Sequence, residues 1–299
     1  MSTPLVVLVA SLTYMVPLAL MIGIALAWRR VIDRDDRRSP LTHQQIHLPG
    51  EQIRQHLEKL DEDFAHTFFA VCLMGPVLAM MWLLLRLRGV DWSGLQWGGG
   101  DLIFGLAALG LPVYGATRLI RMGRKRRRLK QGLAGELATA QLLMPLQAEG
   151  CQIFHDLPAP GFNIDHVVVG PYAVFAVETK SRMKPPSGGK AAATVRYDGS
   201  RLMFPDHVES KPLDQARAQA RWLAEHLTGG TGEPVKVVPA LALPGWFVEL
   251  TREGSRADVV VFNPKLWRFM TNRNFGAPIE ASQQRRIAHV LTMLFPKVE

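Results

Sequence analysis

Asn163-Ile164-Asp165-His166-Val167-Val168-Val169-Gly170-Pro171-Tyr172-Ala173-Val174-Phe175-Ala176-Val177-Glu178-Thr179-Lys180 reads as two strands and a tight turn. β-Branched and aromatic residues fill both runs, and Gly170-Pro171-Tyr172 supplies the turn. With Pro171 and Tyr172 at the turn centre, Asp165 lies opposite Glu178, and Asn163 opposite Lys180. Side chains two apart share a face. The four polar residues therefore gather at one end of one face, and Val167, Val169, Val174 and Ala176 fill the rest of it. His166 alternates to the other face with Val168, Phe175 and Val177, and reads as a packed structural histidine.

Two carboxylates facing each other across a strand pair, about 5 Å apart, repel and need a cation or a proton between them. A hard divalent ion with oxygen ligands, Mg²⁺ or Mn²⁺, resolves the repulsion. Lys180 beside it could orient or deprotonate a water, which is the apparatus of metal-assisted phosphodiester hydrolysis. The same spacing also suits a plain strand-end salt bridge from Lys180 to Glu178 or Asp165. His155-Asp156 lies close enough in sequence to approach the cluster, or to form a satisfied loop pair. Trp222, Trp246 and Trp267 read as core or surface anchors. Two cysteines, Cys72 and Cys151, make no disulfide framework. No Cys/His zinc spacing, glycine-rich phosphate loop or Gly-x-Ser-x-Gly is present.

Outward from the hairpin, the pattern predicts a helix over 129–148 and a strand over 151–157. After the hairpin come a proline- and glycine-rich loop over 181–190 and a second hairpin around Asp198-Gly199. A helix over 212–227, strands over 235–243 and 258–262, and helices over 264–272 and 281–294 complete the chain.

These residues resemble the nuclease-related domain (NERD), a family of the PD-(D/E)XK restriction-endonuclease-like superfamily. The resemblance is carried by Gly135-Glu136, by the stretch from Asn163 to Pro171, by Val174 to Lys180, and by Pro212-Leu213-Asp214-Gln215. It covers roughly 130–243 and implies an α/β core of αβββαβ order. It implies that Asp165, Glu178 and the Thr179 carbonyl hold the metal, and that Lys180 positions the attacking water. Glu136 would add a carboxylate, and Gln215 would steady the site or the substrate backbone. The loop after Lys180 departs from the family in lacking an Asn-Tyr-x-Gly continuation.

The first part of the chain has a different composition. Apolar runs over 5–28, 68–85 and 102–117 predict about three transmembrane helices. Ala25-Leu26-Ala27 imitates a signal cleavage site, but Met1 to Pro4 carry no basic residue and the run exceeds a signal core. Arg29, Arg30, Arg34, Arg37 and Arg38 follow the first run, and eight Arg or Lys residues crowd 118–130. The positive-inside rule then puts the N-terminus outside and the C-terminal domain in the cytoplasm, at the inner (plasma) membrane. Ile53, Leu57, Leu60 and Phe64 stripe an amphipathic helix over 49–64, packed on a neighbour or lying on the inner leaflet. The predicted division is an anchor over 1–121, a basic juxtamembrane linker over 122–130, and a nuclease-related domain with helical additions over 131–299.

A net charge of +9 suits phosphate partners, whether lipid headgroups or nucleic acid. The reading is a membrane-anchored, Mg²⁺- or Mn²⁺-dependent nuclease, a hydrolase with DNA ahead of RNA as substrate and membrane lipids as further partners. Arg182, Lys184 and Lys190 are the expected nucleic-acid contacts, and the 118–130 run is either a lipid anchor or a second such contact. The competing reading is a catalytically silent nucleic-acid-binding or assembly module tethered to the inner membrane.

Overall fold

A computed structural model of the chain describes residues 47–86, 98–185, 189 and 191–296. Two helices, α1 (Glu51–Arg86) and α2 (Gly99–Leu143), precede the first strand. The described residues fall into two compact units, one over 58–126 and the other over 47–57 and 127–296.

In the first unit both helices are long and apolar enough to cross a membrane. Only 6% of each most apolar window is buried within the protein. Phe68, Phe69, Met81, Leu102, Ile103, Leu106, Leu109 and Val113 are exposed. A core helix of a soluble protein would turn such side chains inward. The predicted spans over 68–85 and 102–117 thus fall inside these two helices, while the span over 5–28 lies outside the described residues. Each helix runs further than expected. The segment over 49–64 and the span after it are one helix, because Ala65-His66-Thr67 contains no breaker. The basic run is likewise helical, since α2 continues through it to Leu143. Pro76 and Pro112 sit inside the two helices, a position that apolar surroundings tolerate.

The second unit is built on a five-stranded mixed sheet of order β1-β2-β3-β7-β9. β1 (Gln152–Ala159), β2 (Phe162–Val169) and β3 (Val174–Thr179) run antiparallel. β7 (Val237–Ala242) joins β3 in parallel, and β9 (Val260–Phe262) joins β7 in parallel. Between β3 and β7 come β4 (Thr194–Tyr197), β5 (Leu202–Met203), β6 (Val208–Glu209) and the helix α3 (Lys211–Thr231). A smaller sheet of order β6-β5-β4-β8 includes β8 (Phe247–Leu250). A last helix, α4 (Ala281–Thr292), closes the described chain. β6 and β8 are absent from the sequence reading because they are as short as β4 and β5 but have no hairpin signal like Asp198-Gly199 to mark them.

The sheet is covered on both faces. Val167, Val169, Val174 and Ala176 pack with Ala220, Leu223 and Leu227 of α3 and Ile287 and Leu291 of α4. On the other face Val168, Phe175 and Val177 pack with Leu143, Leu146 and Met270. Every residue of β3 is buried, as a strand covered on both sides requires. Each Val or Phe fully buried this way contributes roughly 1.5–3 kcal/mol. The hairpin is held by register as well as by burial. Val169 faces Val174, Val168 faces Phe175, Val167 faces Ala176 and His166 faces Val177. A one-residue slip would put His166 into the α3 core and Val167 onto the other face, so the register is strongly specified.

Candidate active site

The β2–β3 ladder ends at His166 opposite Val177, and the next residue on each strand is an acid, Asp165 and Glu178. Beyond that point the Thr179 backbone N–H donates to Asp165 Oδ2 at 2.6 Å. Glu178 is buried, and both of its oxygens are engaged. The Lys180 ammonium donates to Oε1. Gln219 Nε2, on α3, donates to Oε2 at 2.6 Å and to the Asn163 carbonyl at 3.0 Å. Gln219 Oε1 is buried without a partner among the described residues.

Glu136 reaches the same place from α2, and Gly135 is what admits it. A Cβ at Gly135 would lie 2.7 Å from the Ser181 Cβ, so only glycine lets this helix approach the residue after Lys180. The paired Gly-Glu of the sequence is therefore one device, a close approach followed by a carboxylate. Asp156 closes the group from β1. Its backbone is left-handed (φ 48°), and its carboxylate accepts from the Gln52 N–H at 2.5 Å and from Asn163 Nδ2 at 2.6 Å. A cavity of about 540 Å³ is lined by Glu136, Asp165, Glu178, Thr179, Lys180 and Gln215, with Gln52, Arg128, Gln131, Asn163 and Arg182 among its other walls.

The crowding of acids shows in their protonation. Burial, then Asp156 and Glu178, push the Glu136 carboxyl up to about 7. Burial, then Glu178 and Glu136, hold Asp165 well above the usual carboxylate range, against the Thr179 N–H and Lys180. Acids raised by burial beside other carboxylates are relieved by a cation as well as by a proton. An all-oxygen set lining a polar cavity suits a hard divalent ion. Among the described residues no three His, Cys, Asp or Glu side chains close around one point. Lys180 holds one oxygen of Glu178, and the Thr179 N–H holds one of Asp165.

Asp165, Glu178, Lys180, Glu136 and Gln215 are thus all brought to one cavity, with Thr179 beside them. The glutamine bonded to Glu178 is Gln219, one helical turn beyond Gln215. The sequence signal for it is the i, i+4 spacing, which puts both on one face of α3. Asp156 lies within a strand rather than a loop and approaches the cluster, with its carboxylate bonded to Gln52 and Asn163. The expected nucleic-acid contacts have other engagements. Arg182 makes a two-pronged bond to Glu209, at 2.9 and 2.8 Å. Lys184 stands 5.9 Å over the Trp246 ring, and Lys190 lies outside the described residues. His166 is fully buried on the opposite face as expected, with its Nδ1 2.9 Å from His155 Nδ1.

A mixed α/β domain with an acidic, lysine-bearing cavity at a strand end is the class that this fold and site define. Residues 131–244 match the family model of the nuclease-related domain (NERD), over the range where the sequence resembles one. Comparison with curated proteins and with solved structures returned no match.

Proposed function

We propose that the protein is a membrane-anchored, divalent-metal-dependent nuclease that hydrolyses nucleic-acid phosphodiester bonds on the cytoplasmic side of the inner membrane. The observation that carries this reading is the cluster of Asp165, Glu178, Lys180 and Glu136 on one cavity inside a nuclease-related domain. The order of α2, β1-β2-β3, α3 and β7 supports a PD-(D/E)XK type of core. Asp165, Glu178 and the Thr179 carbonyl, with Glu136, would hold Mg²⁺ or Mn²⁺, which would supply Lewis-acid polarisation of a phosphoryl oxygen. Lys180 positions a water at the cavity and steadies Glu178 Oε1. Gln219 fixes the other oxygen of Glu178, so the carboxylate has one orientation.

The test is cleavage of a DNA duplex and of single-stranded DNA and RNA by the detergent-solubilised full chain in Mg²⁺. Glu178→Gln should lower the rate at least about 100-fold, as loss of a group acting in the transition state does. Equal rates for the two proteins would sink the proposal. For the membrane side, the basic clusters predict a cytoplasmic reporter after Glu299 and an external one at Gly98. A cytoplasmic signal at Gly98 refutes that topology.

One observation favours the silent binding module. The Lys180 ammonium already sits on Glu178, the plain salt bridge that spacing alone allows. That reading expects duplex binding with no cleavage in Mg²⁺ or Mn²⁺.

A further inference from the structure

The cavity has three cationic side chains on its wall, Arg128, Lys180 and Arg182. Two are committed within the protein. Lys180 is bonded to Glu178, and Arg182 is bonded to both oxygens of Glu209. A guanidinium held by a carboxylate in this two-pronged way has its best donor pair occupied. Arg128 is exposed, and no hydrogen bond or ion pair engages it among the described residues. It lies on the face of α2 that also carries Gln131, Gly132 and Glu136, two turns before the glutamate. Gly132, one turn on, puts no side chain between the guanidinium and the cavity floor.

We propose that Arg128 is the substrate-positioning residue of this cavity, binding a backbone phosphate of the nucleic acid next to the bond presented to Asp165 and Glu178. The inference rests on the nuclease reading of the same site. The chemistry favours it over the loop after β3. A cavity walled by several acids repels a polyanion, so productive binding needs an uncommitted cation at its edge. An arginine fork recognises two phosphate oxygens at once, and a helix holds it at fixed distance from Glu136. Gln131 and Gln52, both on the cavity wall, add neutral donors that suit phosphate or sugar oxygens. Within the basic run this separates one residue from the rest. Arg126, by contrast, is bonded to Asp61 through two nitrogens.

The experiment uses the full chain in detergent and a short labelled DNA duplex. Affinity is measured in Mg²⁺ on the Glu178→Gln background, and cleavage on the otherwise native chain. Arg128→Ala should weaken duplex binding about 10-fold and raise KM, while kcat at saturating substrate falls much less. It should also flatten the salt dependence by about one unit, the slope of one lost phosphate contact. Arg128→Lys should restore the salt slope and part of the affinity, because it returns the charge without the fork. Arg124→Ala, a change in the same basic run off the cavity wall, should leave KM unchanged.

If the native chain neither binds nor cleaves the duplex, the nuclease reading fails and this inference falls with it. If the native chain binds and cleaves but Arg128→Ala matches it in KM and salt slope, the inference alone is overturned. Equal losses in Arg124→Ala and Arg128→Ala overturn it too, assigning the effect to diffuse charge. So does an Arg128→Ala chain that loses affinity for anionic lipid vesicles while keeping its affinity for the duplex.

Discussion

The two faces of the β2–β3 hairpin each bury a polar pair, and the pairs are built on opposite principles. Asp165 and Glu178 share the α3 face with Glu136 nearby, and His155 and His166 share the other. Burial and neighbouring carboxylates raise Asp165 and Glu136 above the usual carboxylate range. The imidazoles sit Nδ1 to Nδ1 at 2.9 Å, so one donates and the other accepts, and both are neutral. Burial, with His155 adding to it at His166, holds both imidazoles below their usual range. The histidine pair is bonded Nδ1 to Nδ1 and leaves His166 Nε2 buried without a partner among the described residues, whereas the acidic cluster opens on a cavity. An open cluster of raised acids leaves chemistry unfinished, which is the mark of a site.

The largest way to break that comparison is with pH. Glu136 has its folded pKa raised from 4.5 to about 7, so the folded state keeps a proton that the unfolded chain has lost. Its contribution therefore favours folding at low pH and is lost as pH rises from about 4.5 to 7. The full swing is about 3 kcal/mol. The histidines act with the opposite sign. Their folded pKa values are depressed, so their contribution is present above about 6.5 and is lost as pH falls below it. Thermal unfolding of the detergent-solubilised chain in chelator should show both limbs. Glu136→Gln should flatten the neutral limb, and His155→Leu with His166→Leu the acid one. If Glu136→Gln leaves the slope between pH 5 and 7 untouched, Glu136 is ionised in the fold and the crowding argument fails.

Metal sharpens the same contrast at somewhat smaller amplitude. An ion bound only by the folded state stabilises it by about 2.7 kcal/mol at a hundred times its dissociation constant. Millimolar Mg²⁺ or Mn²⁺ should raise the unfolding temperature of the native chain, and Asp165→Asn should lose the gain. The double histidine variant should keep it, since those rings lie on the other face. A gain in Asp165→Asn equal to that of the native chain would remove this carboxylate from any ligand set.

The hairpin was legible because turn and alternation together determine a register. Gly170-Pro171-Tyr172 locates the turn, and the pairing of Val169 with Val174 follows from it. The Gly-Glu pair in α2 was legible only through resemblance, because the reason for Gly135 is a contact with Ser181 that no local pattern reveals. The bond between Arg182 and Glu209 was illegible for the same reason. Its partners are far apart in sequence, and one of them stands on a two-residue strand. In α1 and α2 a change of composition predicts a boundary where the helix runs on. Hydropathy changes sharply near residues 64 and 118, but helical backbone needs a breaker to stop, and none is there.

The smallest test concerns two glutamines, of which the sequence reading names only Gln215. Gln215 and Gln219 lie one turn apart on one face of α3, so either could serve the carboxylate cluster. Burial and geometry separate them. Gln219 is buried and bonded to both Glu178 and Asn163, while Gln215 is partly exposed on the cavity wall. Gln219→Ala removes the donor from a buried carboxylate oxygen and should cost about 1–3 kcal/mol. Gln215→Ala strips no buried partner and should stay within about 0.5 kcal/mol. Activity should divide the other way if Gln215 touches substrate. Its loss should then raise KM with unchanged stability, whereas Gln219→Ala should lower kcat by freeing Glu178 to rotate. Equal stability losses in the two variants would mean that Gln215, too, is bonded to the buried cluster, and the role assigned to Gln219 would be shared.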